Sequence, residues 1–303
     1  MTTNSRRTLS FIGITFLLSW VLAGIFALCG GVWTSKNAYP VTILYMVIPG
    51  LTALFVQKFI AHEPLRESLA ISFKPNLWFL AAWFIPAFIA LSTSEVGLEL
   101  PWHEYTPDMS GYFERMAGIL TPQQIEQMRM AAEKLPFPLF WFSFIGGMIG
   151  GITITALFAL GQELGWRGFL QRQFASYGFW KASGMIGLIW GIWQAPTVLM
   201  GYHYPEHPIA GVGMIIIFTL LLSPIMSYLR LRSKSVIASS IFLGTLNGLA
   251  SIPLFLISGG SDLTAGITGL AGFIVLAGVL GGIVIFERFF TDQAIIFPMK
   301  PEG

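Results

Sequence analysis

The chain predicts an all-α polytopic membrane protein, about eight transmembrane helices in one bundle, and three observations carry that prediction. The first is composition: 54% of the 303 residues are hydrophobic and only 11% are charged, with a mean hydropathy of +0.71, far from the balance of a soluble domain. The second is a succession of eight apolar stretches, near residues 8–29, 40–60, 77–93, 137–160, 182–200, 209–229, 236–257 and 266–286. Each meets or approaches the ~20 residues that a helix needs to cross the hydrocarbon, the third being the shortest.

The third observation is the uneven placement of positive charge, which sets orientation where the formal net charge of +2 does not. With the N-terminus inside and eight spans alternating, Arg6, Arg7, Lys58, Arg66, Lys74, Arg167, Arg172, Lys181, Arg230, Arg232, Lys234, Arg288 and Lys300 fall in the cytoplasm. Only Lys36, Arg115, Arg129 and Lys134 remain outside, a split of 13 against 4. Both termini are therefore expected in the cytoplasm, and the expected location is the plasma membrane of a prokaryote. Membrane lipid is the expected partner. No extended basic tract points to nucleic acid, and nothing encodes an oligomeric state.

Taken in order, the first span follows Arg6 and Arg7 but runs uncharged from Thr8 to Ser35, much longer than the apolar region of a cleaved secretion signal. It reads as a retained helix. Cys29 is the sole cysteine, which excludes an intrachain disulfide and a thiolate metal cluster. No repeat or linker divides residues 1–303, which read as one transmembrane domain with a motif-bearing core at 137–260. The insert at 94–136 carries Glu95, Glu99, Glu104, Asp108, Glu114, Glu126 and Glu133 and is expected to be external. Within it Thr121-Pro122-Gln123-Gln124 has the form of an N-cap with proline at the first helical position, opening an amphipathic run to Leu135. On the fourth span Gly146, Gly147, Gly150 and Gly151 form two small-xxx-small pairs that let another helix approach. Gly266, Gly269, Gly272 and Gly278 near the last span also read as packing.

Polar groups on these apolar helices stand out at three sites. Gln162 and Glu163 are followed by Arg167, so that Glu163 and Arg167 are neighbours on one helix face while Gln162 lies about 100° away. The second site is Trp190-Gly191-Ile192-Trp193-Gln194-Ala195-Pro196, and the third runs from Ser240 through Leu243 to Asn247. Each has a structural reading: Glu163 and Arg167 as a pair that ends a helix, Gln194 serving a carbonyl freed by Pro196, Asn247 as an interhelical hydrogen bond. Ionisable groups at membrane depth nevertheless mark functional sites by default. Glu163, Gln194 and Asn247 are expected to converge on one cavity opening towards the cytoplasmic half of the bilayer.

Together the three sites resemble the CPBP family of intramembrane metalloproteases, which includes type II CAAX prenyl endopeptidases and bacteriocin-processing or immunity proteins. The family pattern is a Glu-Glu-x-x-x-Arg helix, an aromatic-rich helix with a histidine, then a His-x-x-x-Asn or His-x-x-x-Asp helix. Here Gln162-Glu163-x-x-x-Arg167, Trp190 to Gln194, and Leu243-x-x-x-Asn247 fall in those places. The resemblance implies that the first Glu and the histidines activate water or hold a metal while the Asn helps to stabilise an oxyanion, with a peptide or prenylated protein as substrate.

The departures fall on the chemistry. Gln162 stands for the first Glu, Gln194 for the middle His and Leu243 for the last, while Glu163, Arg167 and Asn247 are retained. A Gln amide is neither a base nor an anionic metal ligand, and Leu offers nothing. The expectation is a protease scaffold without catalytic activity, a natural pseudoprotease or an inactivated variant, keeping a cavity for a peptide or lipidated peptide. No cofactor is expected in the chain as written; zinc belongs to an active parent. His62, His103, His203 and His207 lie outside the motifs, and Pro205 breaks helical presentation of His203 and His207 to a metal. Two further readings are an active endopeptidase with Glu163 as base, and a non-enzymatic transporter or immunity-type protein. A transporter would need a continuous polar path that these spans do not supply.

Overall fold

The computed structural model describes residues 3–33, 35, 38–117, 120–291 and 294–296. Lys36, Lys300 and both chain termini, which entered the charge count and the orientation, lie outside them. Helix α1 spans Thr3–Leu28 and α2 spans Ala38–Phe55, continuing through a π-turn at Val56–Ile60. A short α3, Leu65–Ser68, precedes α4, Leu77–Leu98. The insert contributes α5, Ser110–Ala117, and α6, Pro122–Glu133. The core follows as α7 Leu139–Gly151, α8 Ile154–Glu163, a π-turn at Leu164–Leu170 and α9 Gln171–Gln173. Then come α10 Phe179–Leu199, α11 Pro208–Ser233, α12 Val236–Gly248 and α13 Leu270–Phe289.

By length and apolarity six helices among the described residues can cross a membrane, or seven if bent α7–α8 counts as one span. The shortfall from eight lies in α10, which holds the expected fifth place but is diluted by Lys181, Gln194, Pro196 and its glycines. The fourth span is a broken helix rather than a straight one, bent by 51° at Ile152–Thr153. Thr153 Oγ1 donates to the Ile149 carbonyl at 2.8 Å, the kind of side-chain insertion into a helix ladder that produces kinks.

The third span runs past its apolar limit to Leu98, the Thr93 and Ser94 hydroxyls being satisfied within the helix by the carbonyls of Ile89 and Ala90. The connection is accordingly shorter than 94–136 at its start. Thr121 and Gln124 form the reciprocal cap expected of the amphipathic helix. A small antiparallel ribbon departs from the all-helical pattern: β1, His103–Tyr105, pairs with β2, Ile257–Gly259, and ties the insert to the α12–α13 connection.

Glycine sets how closely the central helices pack. A Cβ at Gly147 or Gly151 would run into α12, and one at Gly244 would lie 2.6 Å from the Ala156 backbone nitrogen. One face of the predicted glycine pairs is thus filled by α12, while Gly146 faces open space. Gly161 and Gly50 make the corresponding contact between α8 and α2.

Hydrogen bonds identify the two ends of the bundle. At one end Arg7 reaches Glu63 at 2.8 Å, Arg172 pairs with the same carboxylate, Asn76 donates to the Ser233 carbonyl, and Arg232 reaches Glu287. At the other lie the ribbon, the insert, the α10–α11 loop and the α12–α13 loop. Desolvation pushes the Glu63 carboxyl up, but the hydrogen bonds and charges of Arg172 and Arg7 together hold it below the usual range.

Two predictions follow from this packing and pairing. Gly244→Val should lower the thermal midpoint in detergent by an amount equivalent to about 1–3 kcal/mol, whereas Gly278→Val, with open space around it, should leave it unchanged. Because the folded Glu63 pKa is lowered, its contribution is fully present above the ordinary Glu value of about 4.3 and is lost as pH falls through the folded value. Glu63→Gln should therefore lower the midpoint at pH 7 and narrow its difference from the unaltered chain as the solution is acidified.

Candidate functional site

A cavity of about 570 Å³ lies between α2, α10 and α12, with Gln162 of α8 in its wall. Gln194, Leu243 and Asn247 line it as well. The structure thus brings four of the six motif positions together. The other two stand behind the wall. Glu163 and Arg167 are both 0% exposed and pair at 2.9 Å, and neither lines the cavity.

The two groups are linked through Trp190. The Arg167 guanidinium sits 4.7 Å from the centre of the Trp190 ring, within the range of a cation–π contact. On its other side the Trp190 indole N–H donates to Gln162 Oε1 at 3.1 Å. An indole nitrogen can only donate, so this bond fixes which way the Gln162 amide faces. Its oxygen is turned to Trp190, and its NH₂ is left without a partner among the described residues. The π-turn helps to create the arrangement, since it begins immediately after Glu163 and contains Arg167; such turns recur at functional sites.

Pro196 interrupts the α10 ladder as expected, but Gln194 is not the residue that compensates. One residue on from the freed Ile192 carbonyl, the Trp193 carbonyl accepts from Tyr45 Oη at 2.6 Å and from Trp20 Nε1 at 3.2 Å, which ties this stretch of α10 to α2 and α1. The side chains of Gln194 and Asn247 take no hydrogen-bond partner among the described residues, which leaves both amides available to a ligand. Asn247 is therefore not the interhelical bond that its position on an apolar helix suggested. The cavity is lined by three neutral carboxamides, with Trp33, Tyr45, Trp193 and Tyr202 also in its walls.

The cavity opens at the end of the bundle that carries the insert, its rim including Tyr39, Arg115, Glu206 and Asp262. This corrects the expected opening on the N-terminal side. Gln194 and Asn247 lie in the last turns of α10 and α12, and both helices finish at the insert end. Glu163 is likewise removed from the expected convergence, because its i,i+4 pairing with Arg167 turns it behind the wall.

Zinc finds no ligand set among the four motif residues of the cavity, which offer carboxamides and an alkyl chain in place of imidazole, thiolate or carboxylate. Away from them, Glu206, His207 and Asp262 bring possible ligand atoms within 4.8 Å of one another. His203 is not part of that group. Asp262 is already engaged there: Oδ2 accepts the Glu206 backbone N–H at 2.7 Å, and Oδ1 lies 2.7 Å from His207 Nδ1. Sequence reasoning missed Asp262, which sits in a glycine-rich loop with no motif around it. It also missed Trp190 as the orienting group, although the aromatic motif begins there.

A family model described as Type II CAAX prenyl endopeptidase Rce1-like matches residues 137–249, a stretch that contains all three motif sites. This bears out the resemblance drawn from their residues: the core of the chain is similar to an intramembrane CAAX-type protease. No curated protein matches the chain.

Removing one member of a buried charge pair should be far worse than removing both. Glu163→Leu or Arg167→Met alone should cost about 3–5 kcal/mol, while the double variant Glu163→Leu with Arg167→Met should cost less than their sum. Thermal unfolding in detergent of the four proteins measures the coupling.

Proposed function

We propose that the chain is an intramembrane endopeptidase scaffold that holds a peptide, or a lipidated peptide, without cleaving it. The observation that carries this reading is the composition of the cavity at the motif positions: Gln162, Gln194 and Leu243 face it together, where the similar family places Glu, His and His. The site retains the shape for a substrate and lacks the groups that would activate water. A peptide backbone offers alternating N–H and C=O groups, and three carboxamides match both. The aromatic walls supply apolar contact for a side chain or a lipid tail.

The reading in which Glu163 is the working base loses support from the same geometry. Its carboxylate is buried against Arg167 and has no access to the cavity, and a general base must come within hydrogen-bond reach of the proton it takes, directly or through one water.

The decisive measurement is cleavage of a prenylated CAAX peptide and of an unmodified peptide library in lipid. The unaltered chain should show no activity above background. Gln162→Glu alone should recover little, because residues of one catalytic unit act together. The triple variant Gln162→Glu, Gln194→His, Leu243→His should raise the rate by at least the ~10²–10⁴-fold typical of general-base catalysis, with added zinc. Robust cleavage by the unaltered chain, abolished by Glu163→Gln, would overturn the proposal.

A further inference from the structure

We infer that the cavity is loaded from the extracytoplasmic side, by a peptide whose apolar segment adjoins positive charge. The inference about charge rests on the peptide-holding reading above; the inference about side does not.

Sidedness follows from combining the helix ends with the distribution of cations. Arg7, Lys58, Arg172 and Arg232 lie at the end opposite to the cavity mouth, together with the other described Lys and Arg apart from Arg115, Arg129 and Lys134 at the mouth end and Arg167, which is buried behind the cavity wall. Cytoplasmic connections carry the excess of Lys and Arg, and the insert is short enough for its charges to count. The mouth is framed by the insert and by the loops after α10 and α12, at the cation-poor end. A ligand therefore reaches Gln162 and Asn247 from outside.

The mouth also selects for charge. Glu206 and Asp262 stand on the rim with Arg115, whose guanidinium donates to the Gly259 carbonyl and is partly offset by both carboxylates. Beyond the rim the six carboxylates of the insert that follow α4, Glu99, Glu104, Asp108, Glu114, Glu126 and Glu133, outnumber its three cations. The interior, by contrast, carries no charge at the motif positions. An entering chain meets a negative collar and then an aromatic, carboxamide-lined interior, which fits a cationic end left at the rim and an apolar stretch inside. Although Arg115 stands on the rim and His207 lies against Asp262, carboxylates are in excess at this end, and an excess of one sign concentrates ligands of the other, an effect that falls with ionic strength.

Two experiments separate the parts. In a Cys29→Ser background, Ser251→Cys at the cavity lining and Lys181→Cys at the opposite end are exposed to a membrane-impermeant maleimide on intact spheroplasts. Labelling of the first and not the second supports the assignment; labelling of the second and not the first overturns it, whatever the cavity binds. For charge, the full chain in zwitterionic nanodiscs is titrated with a nine-residue Leu-Ala peptide ending in Lys-Lys and with one ending in Glu-Glu. Each carries a dabsyl label that quenches tryptophan fluorescence. The Lys-Lys peptide should bind at least about tenfold more tightly at low salt, with the difference shrinking as salt is raised and shrinking in Glu206→Gln. Equal binding, or a preference for Glu-Glu, overturns the charge inference. Binding of neither peptide overturns the peptide-holding reading and the charge inference with it, while the thiol result stands.

Discussion

Water has no access to the Glu163 carboxylate or the Arg167 guanidinium, and a charge stranded in that position is among the costliest things a membrane protein can contain. Much of the core is arranged around keeping the two together. The π-turn follows directly from Glu163 and contains Arg167, the Trp190 ring covers the guanidinium, and the Arg167 carbonyl accepts from Arg230 Nε at 3.1 Å. The same indole then holds Gln162 at the cavity wall. A pair that touches no ligand thus fixes the ring that fixes an amide that does face the cavity. Glu163 and Arg167 therefore contribute to the shape of the site without lining the cavity.

In the proposed reading, amides and an alkyl chain in place of charged and imidazole groups change the character of the cavity more than its outline. A carboxylate or imidazole commits a site to particular protonation states and to metal. Carboxamides donate and accept at any physiological pH, so Gln162, Gln194 and Asn247 offer a ligand hydrogen bonds without charge. Specificity then rests on where the apolar walls and the amides lie relative to one another, which Trp190 controls at Gln162 and the Tyr45–Trp193 contact controls beside Gln194.

Hydropathy made the spans legible, since lipid leaves helices few alternatives for satisfying their backbones. It was less informative where polar side chains bond back to their own helix, as Thr93 and Ser94 do within α4, and where Thr153 breaks the fourth span. The motif residues were legible through their resemblance to a protease pattern, but their direction was not. Spacing places Gln194 and Asn247 on helices without saying that both helices end at the mouth. Asp262 left no trace in the sequence at all, because its partners are backbone N–H groups some 55 positions away.

The ribbon of β1 and β2 gives the rim a topology that its small size conceals. One strand belongs to the insert and the other to the connection that also carries Asp262, which in turn grips the start of α11 through Glu206 and His207. The rim is therefore a hoop, closed by two clasps, rather than a set of separate flaps. Segments clasped in this way move together until a clasp opens. Trimming the insert would not simply expose the mouth; it would cut the hoop and release the segment that seats α11.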